Sequence, residues 1–525
     1  MPPDWEKFFK QAELDRIRDQ NDIKRKITTE LFIFPLEEDY IIYTPFPRIA
    51  MRINRTAVEI ITKIQAEGNF SLTPTESQFV QLLENYGIVS NGTDPRPDQP
   101  LCEIDQPNGV ILFPTFECNF RCKYCYSFGG EEPARMPWEI AKAAIDFVAQ
   151  NAVKRGISRF NVDFHGGGEP TRNWELMVRC RQYALDTARR YRLQTSSTLV
   201  SNCVLSQTQL EWIVDNIKYV SASLDGPPDI QNSQRPLANG GPSYDLVAAS
   251  LRYFDKVGYP YGIRTTITVN SVSRMSEIVA HFCENFSARR IHFEPLFECG
   301  RCTVNGLAAP DKQVFVEEFE RALEIADKYG AIIYYSGARL GNLTSLFCGG
   351  LGRNFVVLPD GYVTACNEVC RRNDPRWEMF CYGHYDKETR RFMLDANRQR
   401  YLAGRKVQAI LFCAACFLKW NCGGECPVKG VLRNGDLFLP DRDRCYINQE
   451  LAKHMLVQVL AEGRVKGKDE IKVVELPNYV GVNDNAPQIK KAVRIDLDLE
   501  QPWARPPKYL SIETREGDFL GRDEI

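Results

Sequence analysis

Three cysteines stand close together in the spacing Cys118-x3-Cys122-x2-Cys125. Thiolates are soft ligands that suit iron–sulfur clusters and zinc. Three thiolates at this spacing can hold three irons of a [4Fe–4S] cube, so the fourth iron stays free to bind a small molecule. A zinc knuckle is the alternative, but zinc sites usually use four ligands in paired C-x2-C units. The triplet therefore favours a cluster with one open iron.

A second array holds seven of the chain's 18 cysteines, which are Cys348, Cys366, Cys413, Cys416, Cys422, Cys426 and Cys445. The spacing from the third to the sixth is C-x2-C-x5-C-x3-C, and Gly361 lies between the first two. In a reducing compartment, clustered cysteines indicate metal ligands rather than disulfides. A pair of zinc sites would also account for the C-x2-C unit.

The remaining cysteines carry weaker signals. Cys299-Gly-Arg-Cys302 has the spacing of a redox pair, but no thioredoxin-like unit surrounds it, so simple proximity is favoured. The others are scattered and are expected to be small buried hydrophobes, namely Cys102, Cys180, Cys203 and Cys283.

Composition excludes several classes of protein. The chain has 525 residues, of which 44% are hydrophobic and 26% charged, and these fractions predict a multidomain globular protein. The net charge of −2 and the lack of a long basic run exclude the usual footprint of nucleic-acid binding. No apolar stretch reaches the roughly 18–20 residues of a membrane helix. The N-terminus is charged throughout and is no signal peptide, so we expect a cytoplasmic protein.

Strands and helices alternate between residues 108 and 310. The candidate strands are VILFPT, RFNVDFHG, SSTLVSN, YVSASLD, YGIRTTITV and RIHFEPL. Six such units predict an α/β fold with a partial (β/α)6 TIM-like barrel. Chemistry in such barrels lies at the carboxyl ends of the strands. The cysteine triplet directly follows the first strand, where that rule places an active site.

The flanking sequence predicts further domains. Three short strands and two helices, which begin after Asn54 and near Thr75, predict a winged-helix-like module. The expected organisation is a polar segment at 1–28, the module at 29–92, a proline-rich linker at 93–107, the barrel at 108–310, a cysteine-rich domain at 311–460 and a polar tail at 461–525.

The triplet, with Tyr124 before its last cysteine, resembles the signature of the radical S-adenosylmethionine (radical SAM) family. The resemblance covers about residues 108–300. It implies that the open iron binds the amino and carboxylate groups of S-adenosylmethionine. It also implies reductive cleavage to methionine and a 5′-deoxyadenosyl radical, which abstracts hydrogen from a substrate.

Polar residues after the second, third and fourth strands extend this resemblance. The residues that it assigns to S-adenosylmethionine are Tyr124, Gly167, Gly168, Glu169, Ser201, Asn202, Ser223 and Arg235. The glycine pair and the glutamate resemble the family's GGE motif, which binds the methionine amino group, and the Ser–Asn pair resembles the residues near the ribose. The last two resemble the serine and arginine that hold the ribose and carboxylate. Gln231 stands where the family usually has a histidine.

The second array resembles the SPASM extension, which binds two auxiliary [4Fe–4S] clusters in radical enzymes that modify peptides and proteins. The resemblance implies that an outer cluster is held completely by Cys413, Cys416, Cys422 and Cys445. It implies an inner cluster on Cys348, Cys366 and Cys426. The fourth ligand of that cluster is left open between Cys370, Cys381 and a substrate group.

Residues 29–92 resemble the peptide-recognition element of maturases of ribosomally made, post-translationally modified peptides. The third strand, residues 48–53, is expected to offer its edge to a leader peptide by β-augmentation. A packing or dimerisation role is the alternative.

Together these resemblances imply a radical maturase that forms carbon–sulfur (thioether) or carbon–carbon crosslinks in a precursor peptide. A flavodoxin or ferredoxin is the expected electron donor. Three alternatives stay open: an anaerobic sulfatase maturase, a peptide epimerase with Cys299 or Cys302 as hydrogen donor, and an electron carrier without chemistry on S-adenosylmethionine.

Overall fold

The computed structural model describes residues 26–28, 30–67, 71–90, 106–461, 470–475 and 492–496. Most of the segment predicted at 1–28, of the linker at 93–107 and of the tail at 461–525 lies outside these described residues, as does Cys102. Within the described ranges, no helix combines the length and the apolar character that a membrane span requires.

The N-terminal module is a small sheet covered by two helices. Its elements are β1 (Lys26–Ile27), β2 (Phe32–Leu36), β3 (Asp39–Thr44), β4 (Ile49–Ile53), α1 (Arg55–Glu67), α2 (Pro74–Asn85) and β5 (Val89–Ser90). The Asn54 side chain caps α1 by accepting a hydrogen bond from the Ala57 N–H at 3.0 Å. Helix α2 starts one residue before the predicted position, because Thr73 and Glu76 form a capping box.

The central sheet is built from parallel strands. They are β6 (Gly109–Leu112), β7 (Arg159–Phe164), β8 (Gln194–Ser196), β9 (Thr198–Ser201), β10 (Tyr219–Ser223), β11 (Tyr261–Ile267), β12 (Arg290–Pro295) and β13 (Ile332–Tyr334). The spatial order β6-β7-β9-β10-β11-β12-β13 follows the chain, and β8 pairs beside β7. The sheet stays open rather than closing on itself, so the predicted partial barrel is confirmed.

Helices connect these strands and cover the sheet. They are α3 (Trp138–Lys154), α4 (Trp174–Tyr191), α5 (Gln207–Asn216), α6 (Pro228–Gln234), α7 (Tyr244–Val257), α8 (Met275–Asn285), α9 (Arg301–Asn305) and α10 (Lys312–Lys328). In α3, Ile140, Ala144 and Val148 recur at four-residue spacing and are fully or almost fully buried. Because the strands are parallel, the loops after them gather at one end of the sheet.

The cysteine-rich segment continues the same sheet. Its elements are β14 (Val356–Val357), β15 (Tyr362–Thr364), α11 (Trp377–Phe380), β16 (Cys381–Asp386), β17 (Arg391–Leu394), α12 (Ala396–Ala403), α13 (Lys419–Cys422), α14 (Pro427–Asn434) and α15 (Arg442–Ala461). Strand β14 pairs parallel to β6, and β15, β16 and β17 follow antiparallel. The second cysteine array therefore starts beside the strand that carries the first.

Two strands from the predicted polar tail join the N-terminal sheet. Strand β18 (Glu470–Glu475) pairs antiparallel with β4, and β19 (Ala492–Asp496) pairs antiparallel with β18. The strand order is β19-β18-β4-β3-β2. The prediction that β4 offers a free edge is therefore wrong, because the chain's own C-terminal segment takes up those backbone hydrogen bonds.

The N-terminal sheet packs directly on the cysteine-rich segment. The ring of Phe417 lies edge-on to Phe34, with centroids 4.7 Å apart, and to Tyr43 at 6.2 Å. The buried Tyr43 hydroxyl donates to Asn421 Oδ1 at 2.7 Å, and Lys419 Nζ lies 2.8 Å from Glu30 Oε1. Segments nearly 380 residues apart in sequence thus form one interface.

Substitution Tyr43→Phe is expected to loosen this interface, because it leaves Asn421 Oδ1 buried without a donor. An unsatisfied buried acceptor costs about 1–3 kcal/mol. Hydrogen exchange of the amides in β3 measures the loss as faster local opening. The control is Tyr401→Phe, since that side chain is exposed; equal exchange in the two variants would contradict the prediction.

Candidate functional site

One cavity of about 390 Å³ lies at the carboxyl ends of the parallel strands, and we call it the chamber. Cysteines of both arrays line it, namely Cys118, Cys122, Cys125, Cys348 and Cys366, together with Cys299. All eight residues predicted to bind S-adenosylmethionine also line it, which are Tyr124, Gly167, Gly168, Glu169, Ser201, Asn202, Ser223 and Arg235. The structure therefore brings together residues from eight separate segments of the sequence.

Two arginines shape the loop that carries the cysteine triplet. Arg121 donates to the carbonyls of Cys118 at 3.0 Å and Gly130 at 3.1 Å. Arg301, on α9, donates to the carbonyls of Cys122 at 3.0 Å and Gly129 at 3.1 Å. Both guanidinium groups thus satisfy carbonyls that the irregular loop leaves without strand or helix partners.

The three thiols fit the role of cluster ligands. Cys118 Sγ accepts from the Phe120 N–H and Cys125 Sγ from the Gly129 N–H, each at 3.4 Å. Hydrogen bonds to sulfur stabilise thiolates and tune iron–sulfur clusters. Burial raises the pKa of Cys118 to about 12, so iron has to displace the proton. Within the described residues, no three side chains of His, Cys, Asp or Glu are placed to bind one metal ion together. Such a placement is not needed for a cube, because each thiolate binds a different iron.

The glycine-rich loop after β7 lies against the triplet loop. A Cβ on Gly167 would collide with the ring of Phe116, and one on Gly168 would collide with the Glu117 carbonyl, so both positions require glycine. The Glu169 carboxylate is buried and accepts from Ser201 Oγ at 2.9 Å and the Asn202 N–H at 2.7 Å. Burial raises the pKa of Glu169, against the lowering effect of these hydrogen bonds. The ends of β7 and β9 are thereby fixed together.

A second polar group holds the end of β10. Arg235 Nη2 lies 3.0 Å from Asp225 Oδ1, and the guanidinium stands 5.2 Å from the centre of the Tyr124 ring. The Tyr124 hydroxyl donates to Asp225 Oδ2. Gln231 does not line the chamber but accepts from the Asp225 N–H at 2.9 Å, so it supports the loop from behind.

The three cysteines predicted for an inner cluster lie near one another, and Cys348 and Cys366 line the chamber. A Cβ on Gly350 would stand 3.2 Å from Cys348 Sγ and 3.8 Å from Cys366 Cβ. Burial raises the pKa of Cys366, and the neighbouring charges of Glu368, Cys426 and Cys348 raise it further. The backbone N–H of Gly350 donates to Cys348 Sγ at 3.3 Å.

Neither candidate for a fourth cysteine ligand joins this inner set. Cys370 Sγ lies 3.5 Å from where a Cβ would stand on Gly167, so it is beside the first triplet's glycine loop. Cys381 Sγ donates weakly to the Gly383 carbonyl at 3.8 Å, within β16. Of the thiols outside the two arrays, Cys299 alone lines the chamber within the described part of the chain.

The four cysteines predicted for an outer cluster line a second, smaller cavity, and they are Cys413, Cys416, Cys422 and Cys445. Cys422 Sγ accepts from the Glu425 N–H at 3.2 Å and from Asn448 Nδ2 at 3.4 Å. Gln449 Nε2 stands 3.6 Å from Cys416 Sγ. These donors suit thiolates, as they do at the first triplet.

The chamber also holds polar residues that the sequence analysis missed. His165 Nδ1 accepts from the Gly166 N–H at 2.9 Å, and burial lowers the pKa of the ring to about 4. The ring is thus neutral at pH 7, with its proton on Nε2. Arg264 lines the chamber, and the described residues give it no ion pair. Glu368 also lines it, with Oε2 lacking a hydrogen bond and 3.9 Å from Arg376 Nη1.

A buried ionic network closes the far side of the chamber. Glu294, on β12, lies 3.0 Å from Lys429 Nζ and 2.8 Å from Arg444 Nη2. Burial favours the neutral acid, but Lys429 and Arg444 outweigh it and hold the pKa of Glu294 well below its usual range. Arg444 also pairs with Glu425 at 2.5 Å. The barrel is therefore joined to α14 and α15 by compensated charges.

Comparison with known proteins agrees with this geometry. Residues 112–279 match the model of the radical SAM superfamily. The uncharacterized protein MJ0907 of Methanocaldococcus jannaschii is 29% identical over 203 residues, which are 37% of this chain and 64% of that relative. The match thus spans slightly less than two thirds of that protein.

Other relatives match over more of their length. The cysteine-type anaerobic sulfatase-maturating enzyme of Clostridium perfringens is 24% identical over 347 residues, covering 61% of this chain and 89% of the relative. The structure of native anSMEcpe with bound AdoMet and Kp18Cys peptide superposes with a TM-score of 0.54 at 18% identity, covering 68% of this chain and 99% of that one, and so shows the same fold. This chain therefore contains a radical SAM domain at residues 112–279.

Proposed function

We propose that this enzyme modifies a ribosomally made precursor peptide, forming a carbon–sulfur or carbon–carbon crosslink. The observation that carries the proposal is that the cysteine triplet and two cysteines of the second array, Cys348 and Cys366, line the same chamber. The structure of anSMEcpe, which has the same fold, contains bound AdoMet and a bound peptide. When bound, the clusters and S-adenosylmethionine supply a 5′-deoxyadenosyl radical and an acceptor for the electron released as the bond forms.

The residues around the triplet are proposed to hold S-adenosylmethionine. Glu169 Oε2 accepts one protein N–H, and a carboxylate oxygen has room for a second donor such as an ammonium. Ser223 and Arg235 also line the chamber, and we assign them to the ribose and the carboxylate. The Nε2–H of neutral His165 offers a donor without placing a further positive charge beside the sulfonium.

The middle of the chamber suits a polar peptide segment. Arg264 is a cation without an ion-pair partner among the described residues, and Glu368 Oε2 is an acceptor without a donor. Both groups act on the ionisation of His165 and of Tyr126, so they lie near the same part of the cavity. They are suited to pair with carbonyl and N–H groups of a substrate backbone, which would otherwise be buried unsatisfied.

One observation favours a second function, peptide epimerisation. Cys299 lines the chamber, and burial raises the pKa of its thiol to about 12, so it stays protonated at neutral pH. An S–H group can return a hydrogen atom to a carbon radical from the other face. The resulting thiyl radical then needs one electron and one proton, which the flavodoxin- or ferredoxin-type donor and solvent would supply.

Anaerobic protein given dithionite and S-adenosylmethionine is expected to form 5′-deoxyadenosine. Cys122→Ala should abolish the product and remove about a third of the iron, because one of three clusters loses a ligand. The control is Cys283→Ala, a buried cysteine of α8 outside both arrays. Colourless wild-type protein, or product from Cys122→Ala, would contradict the proposed chemistry. Iron analysis and chromatography of the nucleoside are the two measurements.

Mass spectrometry of peptides co-expressed from the reading frames beside the gene separates the reactions. A crosslink removes two hydrogen atoms, whereas epimerisation leaves the mass unchanged and takes up one deuteron from deuterated solvent. Cys299→Ser should leave crosslinking intact and stop epimerisation, while Cys302→Ser, whose thiol is buried outside the chamber, should change neither. Oxidation of a single Cys or Ser, without a crosslink, would instead support a sulfatase-maturase activity.

A further inference from the structure

The inner set of thiols has one ligand fewer than a cube of iron needs. Cys348, Cys366 and Cys426 supply three thiolates, whereas a [4Fe–4S] cluster has four irons. Neither Cys370 nor Cys381 lies with these three. Iron also binds carboxylate oxygens, so an acidic side chain beside the set is a candidate for the remaining position.

Three carboxylates line the chamber, and two of them are fully engaged. Glu169 accepts hydrogen bonds at the end of β9, and Glu294 is shared by two cations. Glu368 Oε2 is buried and accepts no hydrogen bond from the described residues. Its ion pair with Arg376 spans 3.9 Å, and that guanidinium is held instead by Asp374 at 2.7 and 2.9 Å. Glu368 therefore keeps an oxygen that is available to a further group.

A tight turn holds Glu368 beside one of the inner thiols. The Val369 N–H donates to the Cys366 carbonyl at 3.1 Å, which closes a β-turn with Glu368 as its third residue. The Glu368 N–H also donates to Cys366 Sγ. The Thr364 hydroxyl donates to the same Cys366 carbonyl at 3.1 Å and ties the turn to the end of β15. The backbone that carries the carboxylate is thus fixed relative to an inner thiol.

The carboxylate of Glu368 acts on all three inner thiols. Burial raises the pKa of each thiol, and the negative charge of Glu368 raises each of them further. The carboxylate therefore lies within electrostatic reach of Cys348 and Cys426 as well as of its neighbour Cys366. Once deprotonated, these four groups repel one another, and iron ions between them turn the repulsion into attraction. A carboxylate also carries the same single charge as a fourth thiolate, so the set is complete in ligand number and in charge.

Cys299 is a thiol that also lines the chamber, but its loop is attached to the cysteine triplet. The next residue, Gly300, packs so closely on Cys125 and Tyr126 that an added Cβ would stand 2.5 Å from the backbone of each. The Arg301 N–H donates to the Cys125 carbonyl at 2.9 Å. Cys299 is therefore positioned by the triplet loop, whereas Glu368 is positioned by an inner ligand.

We propose that Glu368 is the fourth ligand of the inner cluster in the substrate-free enzyme, bound through a carboxylate oxygen to the iron that the three thiolates leave open. This inference rests on the proposed inner cluster. Oxygen is a harder donor than sulfur, so the bond is exchangeable. A substrate thiolate can displace the carboxylate, which is then free to accept an N–H of the peptide. The exchange replaces one anionic ligand by another, and no electron is transferred.

The test uses the full-length chain with Cys118→Ala, Cys122→Ala and Cys125→Ala, so that only the second array holds clusters. Glutamate side chains are labelled with carbon-13 at the carboxyl carbon, and electron–nuclear double resonance is recorded on the reduced protein. A strong carbon-13 coupling is expected, because the labelled carbon is one bond from the oxygen on iron. Glu368→Gln should remove this coupling, while Glu378→Gln, which changes an exposed glutamate of α11, should keep it.

A titration with 2-mercaptoethanol gives the second readout, followed by the EPR spectrum of the inner cluster. Glu368→Gln should bind the thiol at a roughly 10-fold lower concentration than the parent chain or Glu378→Gln, because the carboxylate no longer occupies the iron. Glu368→Cys should resist the thiol, since its own thiolate closes the site.

Iron analysis separates failure of the ligand from failure of the cluster. Two clusters in the second array correspond to about eight irons per chain. With that content, an unchanged carbon-13 coupling in Glu368→Gln or equal thiol titrations in all variants would overturn the role of Glu368 alone. A content of about four irons in the parent chain would overturn the inference together with the inner cluster on which it rests.

Discussion

The geometry of the chamber depends on the ion pairs that the carboxylate of Glu294 makes. It lies at the end of a barrel strand, and it is shared by Lys429 on α14 and Arg444 on α15. Cys426 immediately precedes α14, and Cys445 follows Arg444. A single carboxylate thus helps to set the position of Cys426 and Cys445, cysteines of the second array, relative to the cysteine triplet. Removing several charges from water costs several kcal/mol for each ion, so only the paired arrangement is stable.

The ionic network of Glu294 and the continuous sheet both hold the cysteine-rich segment against the barrel, each from a different side. Strand β14 is hydrogen-bonded to β6, which ends just before the triplet, so Cys348 and Cys366 approach from that side. The network holds the opposite side, where β12 ends. Two independent attachments leave little freedom for the walls to separate. The proposed radical chemistry requires a chamber with fixed walls, because a reactive carbon then stays close to its partner.

The grouping of the cysteines and the partial barrel were predictable from the sequence, because both depend on local patterns. Thiol spacing is a local signal, and so is the alternation of strands with amphipathic helices. The polar wall of the chamber was not predictable in this way. Lys429 and Arg444 lie 135 and 150 residues from Glu294, and each is a single charged residue in an otherwise ordinary segment. For His165 and Arg264 the sequence gives only one weak indication of a role in the site, an inward position near the end of a strand. Most strands have a residue in such a position.

The C-terminal hairpin was missed for a different physical reason. Its residues stand in a polar, proline-dotted tail, and a six-residue strand has too little sequence pattern to indicate a partner more than 400 residues away. What determines the pairing is the edge of β4, whose register is fixed by buried side chains on both faces. An edge of this kind left bare would pair with another chain, so a cap in cis protects the free protein from aggregation.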